Sequence, residues 1–213
     1  MLSIFLASFV TFFVAIDPVA MAPMFTTMTS KMTPDWRRTM AWKSIAIATG
    51  ILLAFAFGGA WLLEQIHVSI DAFRIAGGLL LFLIAVDMLF EKRSERRDER
   101  AEKVAAQQAQ HPEHQDDISV FPLAIPLIAG PGAIASIMLF FNEHQDVGGR
   151  AMVLLGVGAN LALCLAAFLM AGPLSKLMGP TVASMLTRIF GILLAALAAQ
   201  FVVDGIRNAF GIG

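Results

Sequence analysis

Arg74-Ile75-Ala76-Gly77-Gly78-Leu79-Leu80 recurs later in the chain as Arg188-Ile189-Phe190-Gly191-Ile192-Leu193-Leu194. At nearly the same spacing, Asp17-Pro18 recurs as Gly130-Pro131. Each half therefore carries an early apolar segment broken by proline and a late Arg-Ile-x-Gly-x-Leu-Leu segment. Two such halves in a membrane are the pattern of a transporter built from internal repeats.

Composition places the chain in a membrane. Of its 213 residues 58% are hydrophobic and 15% charged, and the mean hydropathy is +0.75. Soluble domains average about 45–50% apolar and about 25% charged residues, so this chain has more apolar surface than a soluble core hides. Cys164 is the single cysteine, which excludes a disulfide framework, a thiolate cluster and a membrane dithiol carrier. A net charge of −1 gives no sign of nucleic acid.

The apolar runs divide into six spans, near 2–28, 40–63, 70–91, 119–142, 150–172 and 182–208. Each reaches the length of about 20 residues that a helix needs to cross about 30 Å of hydrocarbon. Trp42 and Trp61 stand at opposite ends of the second span, at the separation expected of two interfacial aromatic belts. The first span also carries Ala20-Met21-Ala22, which resembles a cleavage site. No Lys or Arg precedes the apolar run and Pro23 would follow the cut, so the segment reads as a retained helix.

Of the 15 Lys and Arg residues, all but Arg74, Arg150 and Arg207 lie on the side of the loops after spans one, three and five. That asymmetry makes this side cytoplasmic and puts both termini on the other. With three spans per half, the repeats are inverted, related by an axis in the membrane plane. The expected organisation is a first three-helix repeat over 1–91, a charged cytoplasmic linker over 92–118 and a second, inverted repeat over 119–213. His111, Glu113, His114, Asp116 and Asp117 in the linker have metal-ligating chemistry, but no apolar framework precedes them to hold ligands still. The segment reads as a solvated linker whose first part extends the third helix.

The prolines point to the site. Pro18 and Pro23 in the first span, and Pro122, Pro126 and Pro131 in the fourth, each remove a backbone donor. Freed backbone groups at membrane depth must face protein or water. Matched breaks in two inverted halves therefore point at a shared cavity, lined by Asp17, Pro18 and Pro23 from one half and Pro126, Gly130, Pro131 and Gly132 from the other. A carboxylate in a membrane helix is costly and normally has a partner or a cavity. Asp17 is thus placed either to accept from the freed amides of the half-helix after Pro18 or to receive a substrate ammonium or a proton, with the substrate carboxylate at the Gly130-Pro131-Gly132 amides. Asn160, in mid-span, either lines this cavity or bridges two helices. Arg74, Asp87 and Arg188 are candidates for gating or charge pairing; snorkelling to headgroups is the simpler reading for the arginines.

Asp17-Pro18-x-Ala20-x-x-Pro23-x-Phe25 resembles the Asn-Pro-x-Gly-x-x-Pro-x-Phe signature of MarC-family membrane proteins. Pro126-Leu127-Ile128-Ala129-Gly130-Pro131-Gly132-Ala133-Ile134 is similar to that family's second and more specific signature. The chain departs from the pattern in carrying Asp17 for Asn and Ala20 for Gly. The resemblance implies a neutral amino acid transporter of the bacterial inner (cytoplasmic) membrane, related to LysE-type exporters.

The expectation from sequence is therefore an all-α integral membrane protein with proline-broken helices 1 and 4. It is a secondary transporter, not an enzyme, moving a small solute by alternating access. No nucleotide motif and no resident cofactor or metal is expected, so energy comes from a gradient, with a proton or cation as coupling ion. Partners are the solute and the lipid bilayer, and a homo-oligomer is compatible with this reading. Rivals are a metal-ion exporter with Asp17, Asp87 and the His111/His114 loop as ligands, an exporter of another small solute, an intramembrane aspartyl protease using Asp17 and Asp87, and a membrane protein that transports nothing.

Overall fold

The structure is a computed structural model that describes residues 1–110, 117–171 and 180–211. The described residues form helical segments α1 (Leu2–Ile16), α2 (Pro18–Met28), α3 (Pro34–Gln65), α4 (Ile70–Leu89), α5 (Lys92–Gln110), α6 (Ser119–Ile128), α7 (Pro131–Glu143), α8 (Val147–Leu169) and α9 (Pro180–Phe210). Five helical stretches are long and apolar enough to cross a membrane, α1 and α2 counting as one; the bent pair α6–α7 makes a sixth. The expected His111, Glu113, His114 and Asp116 cluster and Lys176 lie outside the described residues.

Local chemistry sets most helix starts. Thr33, Ser69 and Asp146 accept from the amides of Trp36, Ala72 and Gly149 and so cap α3, α4 and α8. Pro34 follows Thr33 at a position where its missing N–H costs nothing, which moves the start of α3 ahead of the expected residue 40. In α6, Phe121 and Ile125 are extended (φ −127°, ψ 126° and φ −124°, ψ 123°). Each precedes a proline, whose ring disfavours helical geometry in the residue before it.

The helices pack where side chains are small. α4 and α9 run antiparallel along one seam. A Cβ added at Gly78 would lie 2.9 Å from the Ala198 carbonyl, one at Gly191 3.2 Å from that of Ala85, and one at Gly205 3.1 Å from that of Asp71. Backbones that close leave room for hydrogen only, the usual device where lipid removes any hydrophobic drive to associate. The two Arg-Ile-x-Gly-x-Leu-Leu segments thus lie at opposite ends of one helix pair, Gly78 against Ala198 and Val202 and Gly191 against Ala85 and Met88. α1 meets α8 at Gly156, and Phe25 of α2 stacks on Phe168 of α8 with ring centres 4.5 Å apart. Trp42, Phe57 and Trp61 stay on the outer surface.

The segment after α4 departs from the solvated linker expected of it. Glu91 takes a left-handed conformation (φ 61°), which ends α4 and turns the chain into α5. α5 then folds back against α2 and α4. It buries Arg97 and Ala101, with Val104 packed beside them, at helical spacing along one face.

Candidate functional site

The site is built around an interruption of the first span. α1 ends at Ile16, Asp17 adopts φ 61° and ψ 66°, and α2 starts at Pro18. Asp is among the few non-glycine residues that tolerate this conformation, and it also caps helices; Asn shares both abilities. Here Asp17 does both jobs. Its amide closes α1 on the Phe13 carbonyl, and its Oδ1 accepts from the Ala20 amide at 3.3 Å to cap α2.

The break strands the last carbonyls of α1. Pro18 has no N–H to offer Val14, and the Ala20 amide goes to Asp17 instead of Ile16. Two arginines of α5 supply the missing donors. Arg93 Nη1 donates to the Val14 carbonyl at 3.3 Å, and Arg93 Nη2 donates to that of Ala15. Arg97 Nη2 donates to the Ile16 carbonyl at 3.2 Å, and its Nη1 donates to Asp17 Oδ2 at 2.9 Å. Both side chains of the Arg97–Asp17 pair are more than nine-tenths buried. Cations at a helix C-terminus also oppose the negative end of its dipole. Burial, with the neighbouring Arg97 charge second, lowers the Arg93 guanidinium to about 9, so it keeps its proton at neutral pH.

Beside this brace lies a cavity of about 440 Å³. Ala15 at the end of α1 lines it, as do Pro126 of α6 and Gly130, Pro131 and Gly132 at the start of α7, the two helices being bent by 57°. Asp87 and the arginine stripe Arg93, Arg96, Arg97 and Arg100 complete the polar wall. Arg96 pairs with Asp87 at 3.0 Å. Gly130 is glycine for a steric reason: a Cβ there would stand 2.4 Å from the Pro126 carbonyl oxygen.

The residues singled out in the sequence divide into two groups. Pro126, Gly130, Pro131, Gly132 and Asp87 line the cavity. Asp17 and Pro18 are buried just behind it, and Pro23 is exposed on the outer face of α2. Arg97 donates to Asp17 Oδ2, and the carboxylate that lines the cavity itself is Asp87. Asn160 lies away from it, fully buried in the α1–α8 seam, where its Nδ2 donates to the Phe9 and Gly156 carbonyls at 2.9 Å each. Arg188 pairs with Glu91 at 2.8 Å, at the turn that launches α5. Arg74 is half-buried, and its buried Nε has no partner among the described residues.

Sequence reading missed the arginines of α5. Their signal was present as spacing: positions 93, 96, 97 and 100 fall on one face of a helix. The highly charged composition concealed it, because such a run usually stays in water.

The model of the MarC family of integral membrane proteins matches residues 2–210. A UPF0056 membrane protein of Methanocaldococcus jannaschii is 35% identical over 208 residues, covering 98% of either chain. One from Archaeoglobus fulgidus is also 35% identical, over 97% of this chain and 94% of its own. The Bacillus subtilis UPF0056 membrane protein YvbG is 33% identical, over 99% of this chain and 97% of its own. No solved structure matches the chain.

Proposed function

This chain belongs to the MarC family of integral membrane proteins, and we propose on that premise that it is a secondary transporter of small solutes, small neutral amino acids foremost. It works by alternating access in the bacterial cytoplasmic membrane, with both termini on the non-cytoplasmic side. Its two three-helix repeats are inverted, and the first and fourth spans are their proline-broken helices. The placement of the two Arg-Ile-x-Gly-x-Leu-Leu segments at opposite ends of the antiparallel α4–α9 pair supports that symmetry.

One observation carries the reading. A cavity of about 440 Å³ lies where the end of α1 and the start of α7 approach each other, and it is walled by guanidiniums and one carboxylate. Broken helices around a polar chamber are how transporter folds expose backbone to a solute without exposing it to lipid. The chamber fits a zwitterion, with its carboxylate toward the arginines and its ammonium toward Asp87. A proton or cation gradient drives the cycle. A bare cation fits less well, because four guanidiniums line the same chamber.

Counterflow in proteoliposomes with labelled glycine, alanine, serine and threonine tests this. Saturable exchange is the expected result. Absence of exchange for all four, in vesicles that hold folded protein, would overturn the amino acid reading.

A further inference from the structure

We propose that the cavity binds an oxyanion through Arg96 and Arg100, either the carboxylate of a small solute or the phosphate of an anionic lipid headgroup. The proposal rests on reading this cavity as a ligand site, whether or not the bound group is transported.

Four guanidiniums of α5 line one chamber whose lining holds a single carboxylate, Asp87, while Asp17 pairs with Arg97. Arg97 is committed to Asp17 and the Ile16 carbonyl, and Arg93 to the carbonyls of Val14 and Ala15. These two are structural. Arg96 holds Asp87 with a side chain that is 66% exposed, so it can exchange that partner at little cost. Arg100 lines the cavity and has no hydrogen bond or ion pair among the described residues.

Arg93 with Arg97, and Arg96 with Arg100, are like-charge pairs four residues apart, an arrangement that destabilises a helix. A sequence that repeats it along the face turned to a cavity gains if an anion bridges the cations. Guanidinium geometry suits carboxylate and phosphate oxygens, which accept two parallel N–H bonds. The opposite wall helps: no side chain caps α7, whose N-terminus at Gly130-Pro131-Gly132 presents the positive end of a helix dipole to the chamber.

The test is isothermal titration calorimetry on the purified full chain in a neutral detergent. Glycine and alanine are the small carboxylates, glycinamide is the match lacking a carboxylate, and short-chain phosphatidylglycerol is the headgroup. The expected result is saturable binding of a carboxylate or of phosphatidylglycerol, with none of glycinamide. Arg96→Gln and Arg100→Gln should each weaken it by about ten- to a hundredfold, whereas Arg38→Gln on exposed α3 leaves it unchanged. Binding of glycine or alanine identifies a solute site, and binding of phosphatidylglycerol alone identifies a lipid site on the same arginines. Lack of binding by either class, or undiminished binding by variants with native circular dichroism, overturns the proposal. Calorimetry reads binding without transport, so failed counterflow with intact binding would sink the amino acid transport reading alone.

Discussion

Arg97 of α5 and Asp17 of the first span meet at 2.9 Å in a buried ion pair that ties a helix outside the membrane-crossing set to the break inside it. The same guanidinium also caps the Ile16 carbonyl. The pair is therefore a brace as well as a charge balance, and it makes α5 part of the site.

Removing one partner strands the other in a low-dielectric setting. Arg97→Gln should cost about 3–5 kcal/mol of stability. Asp17→Asn should cost less, since Asn keeps both the left-handed turn and the cap. The double variant should be more stable than the sum of the single changes implies. Chemical unfolding in detergent measures all three, and simple additivity would show that the two side chains are not coupled.

Gly130→Ala forces a methyl carbon to 2.4 Å from the Pro126 carbonyl oxygen, a contact only backbone movement relieves. We expect a loss of about 1–3 kcal/mol or more, with collapse of ligand binding. Gly58→Ala is the comparison, because nothing lies within 4 Å of its added Cβ. It should be neutral or stabilising by up to about 1 kcal/mol through helix propensity. Equal thermal midpoints for the two variants would contradict the packing argument.

Lys43 binds Asp117, whose carboxyl also accepts from Ser119, and these contacts, Lys43 foremost, lower it from 3.8 to about 2. A depressed carboxylate contributes stability above its unfolded value. The tie of α3 to the start of α6 should thus be complete above about pH 4 and fade as pH falls from 3.8 toward 2. Asp117→Asn should remove that pH dependence while costing less than about 1 kcal/mol at pH 7, since the pair is half-exposed. Thermal melts across an acid pH series read both.

Cys164 is buried among the core side chains, so a maleimide should not label the native protein in membranes. Arg100→Cys should label readily from the side on which α5 lies, because that position is exposed. Rapid modification of the wild-type chain would place Cys164, and with it α8, wrongly.

The spans were legible because hydrocarbon imposes one rule on every crossing segment. Long apolar runs, the capping Thr33 and Ser69, and prolines at the breaks are each local signals. Half of the cavity was legible for the same reason: Gly130-Pro131-Gly132 can open a helix and cannot continue one. Asn160 was not resolved by sequence, because mid-span placement fits both a cavity wall and a helix seam. Only the position of the Phe9 carbonyl assigns it to the seam.

Sequence by itself determined a helical membrane protein with interruptions in its first and fourth spans, since both follow from the free energy of leaving backbone groups unpaired in lipid. It did not determine what fills those interruptions. The donors for Val14, Ala15 and Ile16 come from Arg93 and Arg97, some 80 residues away in the chain. Which distant cations reach stranded carbonyls depends on the turn at Glu91 and on where α5 then packs. Only the tertiary structure decides that, because no periodicity in one segment encodes the position of another.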